Sequence, residues 1–533
     1  MINNKILLTA ALAGTAIGLP SKSNGYASSL DYVDSGLSQF QSTVESIVQS
    51  IGLKWFDNNA HNNPISADEL VIDDIKYKVL KHDQFPDHRI RLSEPKLCDA
   101  GVQQYSGYVD ISDSRSLFFW FFESRSDPKS DPFVMWLNGG PGCSSSTGLL
   151  TELGPCSVAH GGKDTEYNKH SWNNNANLLF LDQPINVGYS YSDSDSVNTT
   201  PVAADDVYAF LQIFFKHYDD YAKLPFSIAA ESYGGRYAPL IADVINNHNQ
   251  IDKSVYMKQG AEDNFLHINL ESILLGNGLT DPKIQFPAVY DYACHGPYKI
   301  FDPEGGECAN LKSKANTCER LIDTCYKTDS RFTCLPAALY CWSGMYGGFQ
   351  QLGLNPYDVR KTCDRKKDGD LCYKQMGWIE TYLNQPEVKK ELGVPKFVEF
   401  ESCNFDVNRS FMGQGDSMHN SADPTIPNLL DSGVRVLVYA GKADFMCNYI
   451  GNKKWVEQLP HELGQEIAAS NDETWIVDGN KAGAFKIAQN DKAVLQFVEI
   501  EGAGHMVPLD RGHEALALFN GWVHGNGLNS TVI

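Results

Sequence analysis

The chain has 533 residues, 42% of them hydrophobic and 21% charged, which is the composition of a globular protein with one large catalytic domain or two to three ordinary ones. Sixty-six acidic against 44 basic side chains give a formal charge of −22, which would repel phosphate and argues against nucleic acid as a partner. Beyond the N-terminus no stretch is long and apolar enough to span a bilayer, which takes about 20 residues.

Met1–Lys5 carries one positive charge, Ile6–Leu19 is apolar and small, and small polar sequence runs on through Ser29. That pattern predicts a signal peptide over residues 1–28 and entry into the secretory pathway. Residues 30 to 95 lack cysteine, and Leu37, Phe40, Val44, Ile47, Val48 and Ile51 fall at helical spacing. The basic cluster His88-Arg89-Ile90-Arg91 closes this stretch. It reads as a propeptide over residues 29–95 cut near that cluster, with an independent helical domain as the other reading.

From Gln104 onward β signals dominate. Tyr105–Asp110 and Ser116–Phe122 predict two strands joined by a polar turn. Phe133–Leu137 is wholly apolar, as buried strands are, and ends in Asn138-Gly139-Gly140-Pro141-Gly142-Cys143-Ser144-Ser145. Leu178–Asp182 predicts another buried strand, and Val202–Tyr221 has helical spacing. Phe226–Glu231 then enters Ser232, flanked two residues away by Ala230 and Gly234, and a helical pattern follows from Tyr237. Strand, sharp turn and helix with serine at the apex describe a nucleophile elbow, although Ala230 stands where that pattern usually has glycine. Strand followed by glycine recurs at Ser272–Gly278 and Val434–Gly441, and a last buried strand is Leu495–Ile500. The alternation predicts an α/β fold with a mainly parallel, doubly wound sheet, its catalytic domain split over residues 96–292 and 399–533.

Between the two halves, residues 293–398 hold eight of the 13 cysteines, Cys294 through Cys372. With no CxxC pair and no histidine pair at ligand spacing, disulfides in an oxidising lumen are favoured over zinc. The stretch reads as a disulfide-stapled, largely helical cap, and neither metal nor cofactor is expected. Asn-x-Ser/Thr sequons stand at Asn198, Asn408 and Asn529.

Asp444 lies just beyond the Val434–Gly441 strand and His505 just beyond Leu495–Ile500. In a parallel sheet the carboxyl ends of strands share one edge, so Ser232, Asp444 and His505 can converge there, in the order of α/β-hydrolase triads. A serine hydroxyl needs a base to take its proton, imidazole suits that task, and a buried carboxylate fixes the imidazole tautomer. The oxyanion hole is expected from the N–H groups of Tyr233 and of Gly140 in the glycine loop.

The glycine loop, Leu181-Asp182-Gln183-Pro184, Glu231-Ser232-Tyr233-Gly234-Gly235, Gly276-Asn277-Gly278, the Asp444 strand and Gly504-His505-Met506-Val507-Pro508 together resemble the serine carboxypeptidases, from about Tyr105 to Trp522. Tyr357-Asp358-Val359-Arg360, Glu401-Ser402-Cys403-Asn404 and Cys447-Asn448 resemble the vacuolar, carboxypeptidase Y-like branch. The resemblance implies an α/β-hydrolase fold and release of C-terminal residues from peptides and proteins through an acyl-enzyme. It implies that the substrate's terminal carboxylate is held by Asn138, Gly139, Glu152 and Glu231, an arrangement that suits acidic pH because facing carboxyls raise one another's pKa. It suggests the pairs Cys143–Cys403, Cys294–Cys308, Cys318–Cys341, Cys325–Cys334 and Cys363–Cys372, and a free Cys447 near S1. Ser417, where relatives often carry tryptophan, and Met506 are also placed in the S1 vicinity. Cys98 and Cys156 lie outside that pattern and are expected to pair with each other. The resulting expectation is a monomeric serine carboxypeptidase of a vacuole- or lysosome-like lumen, or secreted, with no membrane span. An esterase or acyltransferase on the same triad is the alternative, and a non-catalytic protective binding protein is another.

Overall fold

The computed structural model describes residues 67–82, 85–250, 265–369, 371–525 and 527–528. The signal peptide, the helical spacing of Leu37–Ile51 and the Asn529 sequon lie outside the described residues.

Thirteen strands run along one path of the principal sheet. They are β1 (Ala67–Ile72), β2 (Ile75–His82), β3 (Phe85–Ser93), β4 (Gln104–Asp110), β5 (Arg115–Phe122), β6 (Phe133–Leu137) and β7 (Asn177–Leu181), followed by β8 (Phe226–Glu231), β9 (Leu270–Gly276), β10 (Arg435–Gly441), β11 (Glu473–Val477), β12 (Asn480–Gln489) and β13 (Val494–Ile500). Their spatial order is β1-β2-β3-β4-β5-β7-β6-β8-β9-β10-β13-β12-β11. The six adjacent strands from β7 to β13 pair in parallel and the flanking strands pair antiparallel. β6, β7 and β8 are buried at every position, because helices cover both faces and leave no polar side. The fold is the expected α/β-hydrolase one, with its parallel strands at the centre.

The chain steps from β6 to β7 on one side and then returns to place β8 on the other. A crevice opens where the direction of winding reverses in this way, at the carboxyl ends of the strands. Leu137 and Ala230 are register partners there, so the glycine loop after β6 and the Ser232 turn after β8 emerge side by side.

Two hairpins escaped the sequence reading. β11 and β12 are joined by Asp478-Gly479, with φ of 46° and 78°. Asp-Gly with both φ positive is the turn that matches strand twist, and this dipeptide was the signal that could have revealed the hairpin. β1 and β2 are joined in the same way by Asp73-Asp74.

The expected boundary at residues 95/96 does not coincide with a break in the described fold, because β3 pairs with β4 across it. The basic cluster lies within β3, and Arg91 is buried. Its guanidinium stacks 4.4 Å from the centre of the Tyr108 ring and donates to Asp110 Oδ1 at 2.7 Å, with Arg89 on the same carboxylate at 2.5 Å. Burial works against the Asp110 charge, yet Arg91 holds the carboxyl below its usual range. Breaking a buried ion pair from one side is costly, and loss of Arg91 would leave the buried Asp110 only the half-exposed Arg89. Arg91→Ala in the full-length chain is expected to cost about 3–5 kcal/mol, read as a lower urea midpoint at neutral pH. An unchanged midpoint would show that the pair contributes nothing to folding.

Helices α1 (Ser146–Thr151), α2 (Thr200–His217), α3 (Gly234–Gln250) and α4 (Pro282–His295) belong to the sheet's two layers, and α5 (Gly306–Thr328) and α6 (Arg331–Tyr346) form a hairpin in the cysteine-rich stretch. Cys318 and Cys325 lie two turns apart on α5, as do Cys341 and Cys334 on α6, and the two rungs Cys318–Cys341 and Cys325–Cys334 staple one face to the other. Cys294–Cys308, Cys363–Cys372, Cys143–Cys403 and Cys98–Cys156 are also bonded. Leu311, Ile322, Ala337 and Met345 of the hairpin share one apolar cluster with Ile228 and Phe286, so the cap rests on the catalytic core and has no core of its own. Among the described residues no helix is long and apolar enough to cross a membrane.

Candidate active site

Ser232 leaves β8 with φ of 62°, a left-handed conformation that costs a side-chain-bearing residue energy and needs fixing from outside. Three hydrogen bonds supply this: Ser232 N–H donates to Gly276 O at 3.0 Å, and its carbonyl accepts from Gly235 and Leu279 N–H, each at 2.9 Å. A Cβ on Gly234 would lie 2.6 Å from the Ala230 methyl. The two small residues flanking the serine thus face each other, and glycine at 234 leaves the room that Ala230 occupies. This accounts for the departure from the usual elbow pattern.

Asp444 is fully buried beyond β10, and its Oδ2 lies 2.7 Å from His505 Nδ1. The same oxygen accepts from Asn277 Nδ2 at 2.9 Å and Cys447 N–H at 3.2 Å, while Oδ1 accepts from Met446 N–H at 2.9 Å. Asn277 is a site residue whose role the sequence did not reveal. Its Oδ1 accepts from Gly441 N–H at 2.9 Å, so one side chain ties the end of β9 to the Asp444 turn. The signal was present in Gly276-Asn277-Gly278, a third strand ending on the same edge. Tyr357 is another: its carbonyl accepts from His505 N–H at 2.8 Å and its ring lies 5.1 Å from the imidazole.

The glycine loop packs straight onto the elbow. A Cβ on Gly139 would sit 2.3 Å from Tyr233 N and 2.8 Å from Ser232 Cβ, so any side chain there would close the site. Gly140 has φ of 111°, and the N–H groups of Gly140 and Tyr233 donate to no backbone carbonyl among the described residues. The loop is held from behind by buried Asp182, which accepts from Ser144 Oγ at 2.5 Å and Ser145 N–H at 3.0 Å. Burial pushes the Asp182 carboxyl up to about 6.

Beside the loop Asn138 Oδ1 accepts from Trp136 Nε1 and Gly148 N–H, each at 2.8 Å, which aims Nδ2 at Glu152 Oε1, 3.5 Å away. Glu152 closes α1, and Glu231 ends β8 next to the serine. Both are buried, Glu152 Oε2 has no hydrogen-bond partner among the described residues, and the Glu231 carboxyl stands near that of Glu152. Burial drives both upward: Glu152 to about 7, and Glu231 well above the carboxylate range with Glu152's charge as the next cause. Two carboxyls in this setting share protons, since neither can ionise cheaply beside the other.

Ser232, His505, Gly140, Glu231, Met506 and Trp342 line one cavity of about 280 Å³. Ser417 stands behind this wall: it is buried, and its Oγ accepts from Trp342 Nε1 at 3.3 Å. Position 417, where relatives often carry tryptophan, thus lies behind the indole of Trp342, which α6 brings to the cavity. Met446 lines the cavity, whereas Cys447, the free thiol among the described residues, touches Asp444 through its backbone, and burial raises its pKa well above the usual value. Asn408 reaches the cavity too, its Nδ2 donating to Pro141 O at 3.1 Å, and Asn198 is half-buried before α2. Cys325, Cys334 and His419 are grouped closely enough to suggest a metal site, but the two sulfurs are spent on their disulfide.

The sequence profile described as "Serine carboxypeptidase" matches residues 95–525. The chain belongs to the serine carboxypeptidase family. Among curated relatives, "Carboxypeptidase Y" of Candida albicans is 45% identical over 450 residues, covering 83% of this chain and 78% of the relative. "Carboxypeptidase Y" of Schizosaccharomyces pombe is 44% identical over 446 residues, and the match spans 43% of that longer protein's length. "Carboxypeptidase Y homolog A" of Aspergillus clavatus is 43% identical over 444 residues, covering 82% of this chain and 78% of the relative. The solved structure of Kex1(Δ)p, a prohormone-processing carboxypeptidase from Saccharomyces cerevisiae, has 23% sequence identity and a TM-score of 0.68, covering 81% of this chain and 94% of its own, a likeness of fold.

Proposed function

We propose that this serine carboxypeptidase removes C-terminal residues from peptides and proteins through an acyl-enzyme on Ser232. His505 takes the serine proton as the hydroxyl attacks the scissile carbonyl, and returns it to the leaving amine. Asp444 holds the imidazole tautomer and stabilises the imidazolium. The N–H groups of Gly140 and Tyr233 receive the tetrahedral oxyanion. Water then repeats the sequence on the acyl-enzyme.

One observation carries the exopeptidase reading: two buried carboxyls, Glu152 and Glu231, next to Asn138 Nδ2 and the nucleophile, both with raised pKa. A protonated carboxyl donates a hydrogen bond to a substrate carboxylate, whereas an ionised one repels it. Asn138 Nδ2 and Gly139 N–H complete the donor set. An esterase on the same triad would leave this pair without a role.

The pH dependence follows with a definite sign. Because both pKa values are raised, the pair is protonated at acidic pH and loses its proton as pH rises through neutral. Above about pH 7 the KM of a peptide with a free C-terminal carboxylate is expected to rise by up to about tenfold per pH unit. A C-terminally amidated peptide should be cut poorly at acidic pH and should not share that rise. Measuring kcat/KM for the two peptides from pH 4 to 9 decides the matter. A free-acid profile still climbing above neutral, or an amide cut as fast as the acid, would overturn the assignment.

This preference and the disulfides suit an acidic, oxidising lumen, a vacuole- or lysosome-like compartment or the exterior, reached through the predicted signal peptide. Residues 29–95 fit a propeptide whose last strands are seated in the sheet of the full-length chain, and the enzyme is proposed to act as a monomer.

A further inference from the structure

The proposed oxyanion donor Tyr233 is tied at its far end to a residue with no part in the chemistry. Its hydroxyl donates to Asp416 Oδ2 at 2.5 Å. Arg236, one helical turn further along α3, donates from Nε to the same oxygen at 2.9 Å and from Nη2 to Oδ1 at 3.2 Å. Residues 233 and 236 lie on one face of the turn that follows Ser232, so a single carboxylate grips the start of α3 at two successive points. Arg236 N–H also donates to Tyr233 O at 2.9 Å, which closes the ring of contacts through the backbone.

Asp416 is itself anchored from outside the elbow. Thr200, at the start of α2, donates to it from N–H at 3.0 Å and from Oγ1 at 2.6 Å. The preceding Gly415 has φ of 73°, and a Cβ there would lie 2.7 Å from the Cys334 carbonyl carbon, so the turn is seated directly on the stapled end of α6. Asp416 is buried, and taking a carboxylate out of water costs several kcal/mol before its partners offset it. Burial opposes its charge, and Arg236 overcomes that and keeps the carboxyl ionised. A buried, fully ligated carboxylate here fixes geometry and takes part in no proton transfer.

We infer that Asp416 is a positioning residue for the oxyanion hole: by fixing the Tyr233 side chain it fixes the plane of the Ser232–Tyr233 peptide, whose N–H lies against Gly139. The inference rests on the carboxypeptidase reading of Ser232 and Tyr233. Ser232 has an unusual φ, so the orientation of the peptide that follows it depends on restraint from the Tyr233 side. With the phenol released, the N–H can rock away from the position a developing oxyanion occupies, while the ground-state complex, bound through Asn138 and the glutamates, is unaffected. The turn has a second function, because Ser417 beside Asp416 supports Trp342 of the cavity wall.

Two isosteric variants, Asp416→Asn and Tyr233→Phe, test this, with active sites counted by stoichiometric organophosphonate labelling. In both, kcat per labelled site is expected to fall by about 10- to 100-fold, short of the ~10²–10³ that follows loss of a whole donor. KM should stay within about twofold, and affinity for a peptide boronic acid, which forms a tetrahedral adduct, should fall with kcat. The double variant should be no worse than the weaker single one, since both break the same link. Wild-type kcat per site in Tyr233→Phe, or a rise in KM at unchanged kcat, overturns the inference, even if Asp416→Asn proves too unstable to assay. Retained activity in Ser232→Ala would instead sink the underlying assignment of the nucleophile, so the two failures are distinguishable.

Discussion

Replacing Ser232 by alanine is expected to lower kcat for peptide cleavage by about 10⁶-fold and leave the fold and substrate affinity intact. Among the described residues no side-chain hydrogen bond of Ser232 holds the elbow; the three bonds that fix the turn belong to its backbone N–H and carbonyl. Alanine has the same Cβ and bears the same left-handed strain, so the substitution removes an oxygen and little else. The proposed carboxylate-binding set, Asn138, Gly139, Glu152 and Glu231, is untouched, and a peptide should therefore associate with the variant and stay uncut. Calorimetric titration against a free-acid peptide measures the affinity, and timed mass spectrometry measures the turnover. Cleavage within a hundredfold of wild type would mean that another group is the nucleophile.

Asp444→Asn is expected to lower kcat by about 10⁴-fold with the site's geometry preserved. Asp444 Oδ2 receives the His505 Nδ1 proton and the Asn277 amide together. Asparagine has one acceptor oxygen where Asp444 has two, so its NH₂ must stand either in the Oδ2 place, against His505 Nδ1, Asn277 Nδ2 and the Cys447 N–H, or in the Oδ1 place, against the Met446 N–H. In the first place a donor facing Nδ1 moves the imidazole proton to Nε2, and the base can no longer accept from Ser232. In the second the imidazolium loses the carboxylate charge that stabilises it. The loss should fall on kcat with KM little changed, and it should appear for ester and peptide substrates alike, since both need the base. More than a tenth of wild-type kcat would show that the imidazole keeps its tautomer without Asp444.

These two expectations could be framed from the sequence because the three residues each sit just past a strand that short-range pattern discloses. Apolar runs leading into glycine marked β6, β9 and β10, a strand-like run into Ser232 marked β8, and the small residues around Ser232 marked the turn. The flanking hairpins were missed because half-exposed strands alternate weakly with their neighbours, and only Asp478-Gly479 carried a distinct turn signal. Within the site the harder residues were those whose role depends on a partner far away. Trp342 meets Ser417 only because α6 crosses that turn. Asp416 reaches Tyr233 across 183 residues of sequence, and Tyr357 joins His505 from within the cysteine-rich stretch.

By itself the sequence determined the α/β architecture, the elbow at Ser232, the order of Asp444 and His505, and the glycine loop, because hydrophobic period and the conformational demands of glycine act over a few residues and are written locally. Resemblance to a family supplied the carboxylate set and most of the cysteine pairing. Only the tertiary structure decided that β1–β3 continue the sheet, that Ser417 stands behind Trp342, that Asn277 braces Asp444 and that Asp416 grips Tyr233. Such contacts join side chains far apart in the chain, and their geometry comes from packing, which leaves no periodic trace in the order of the residues.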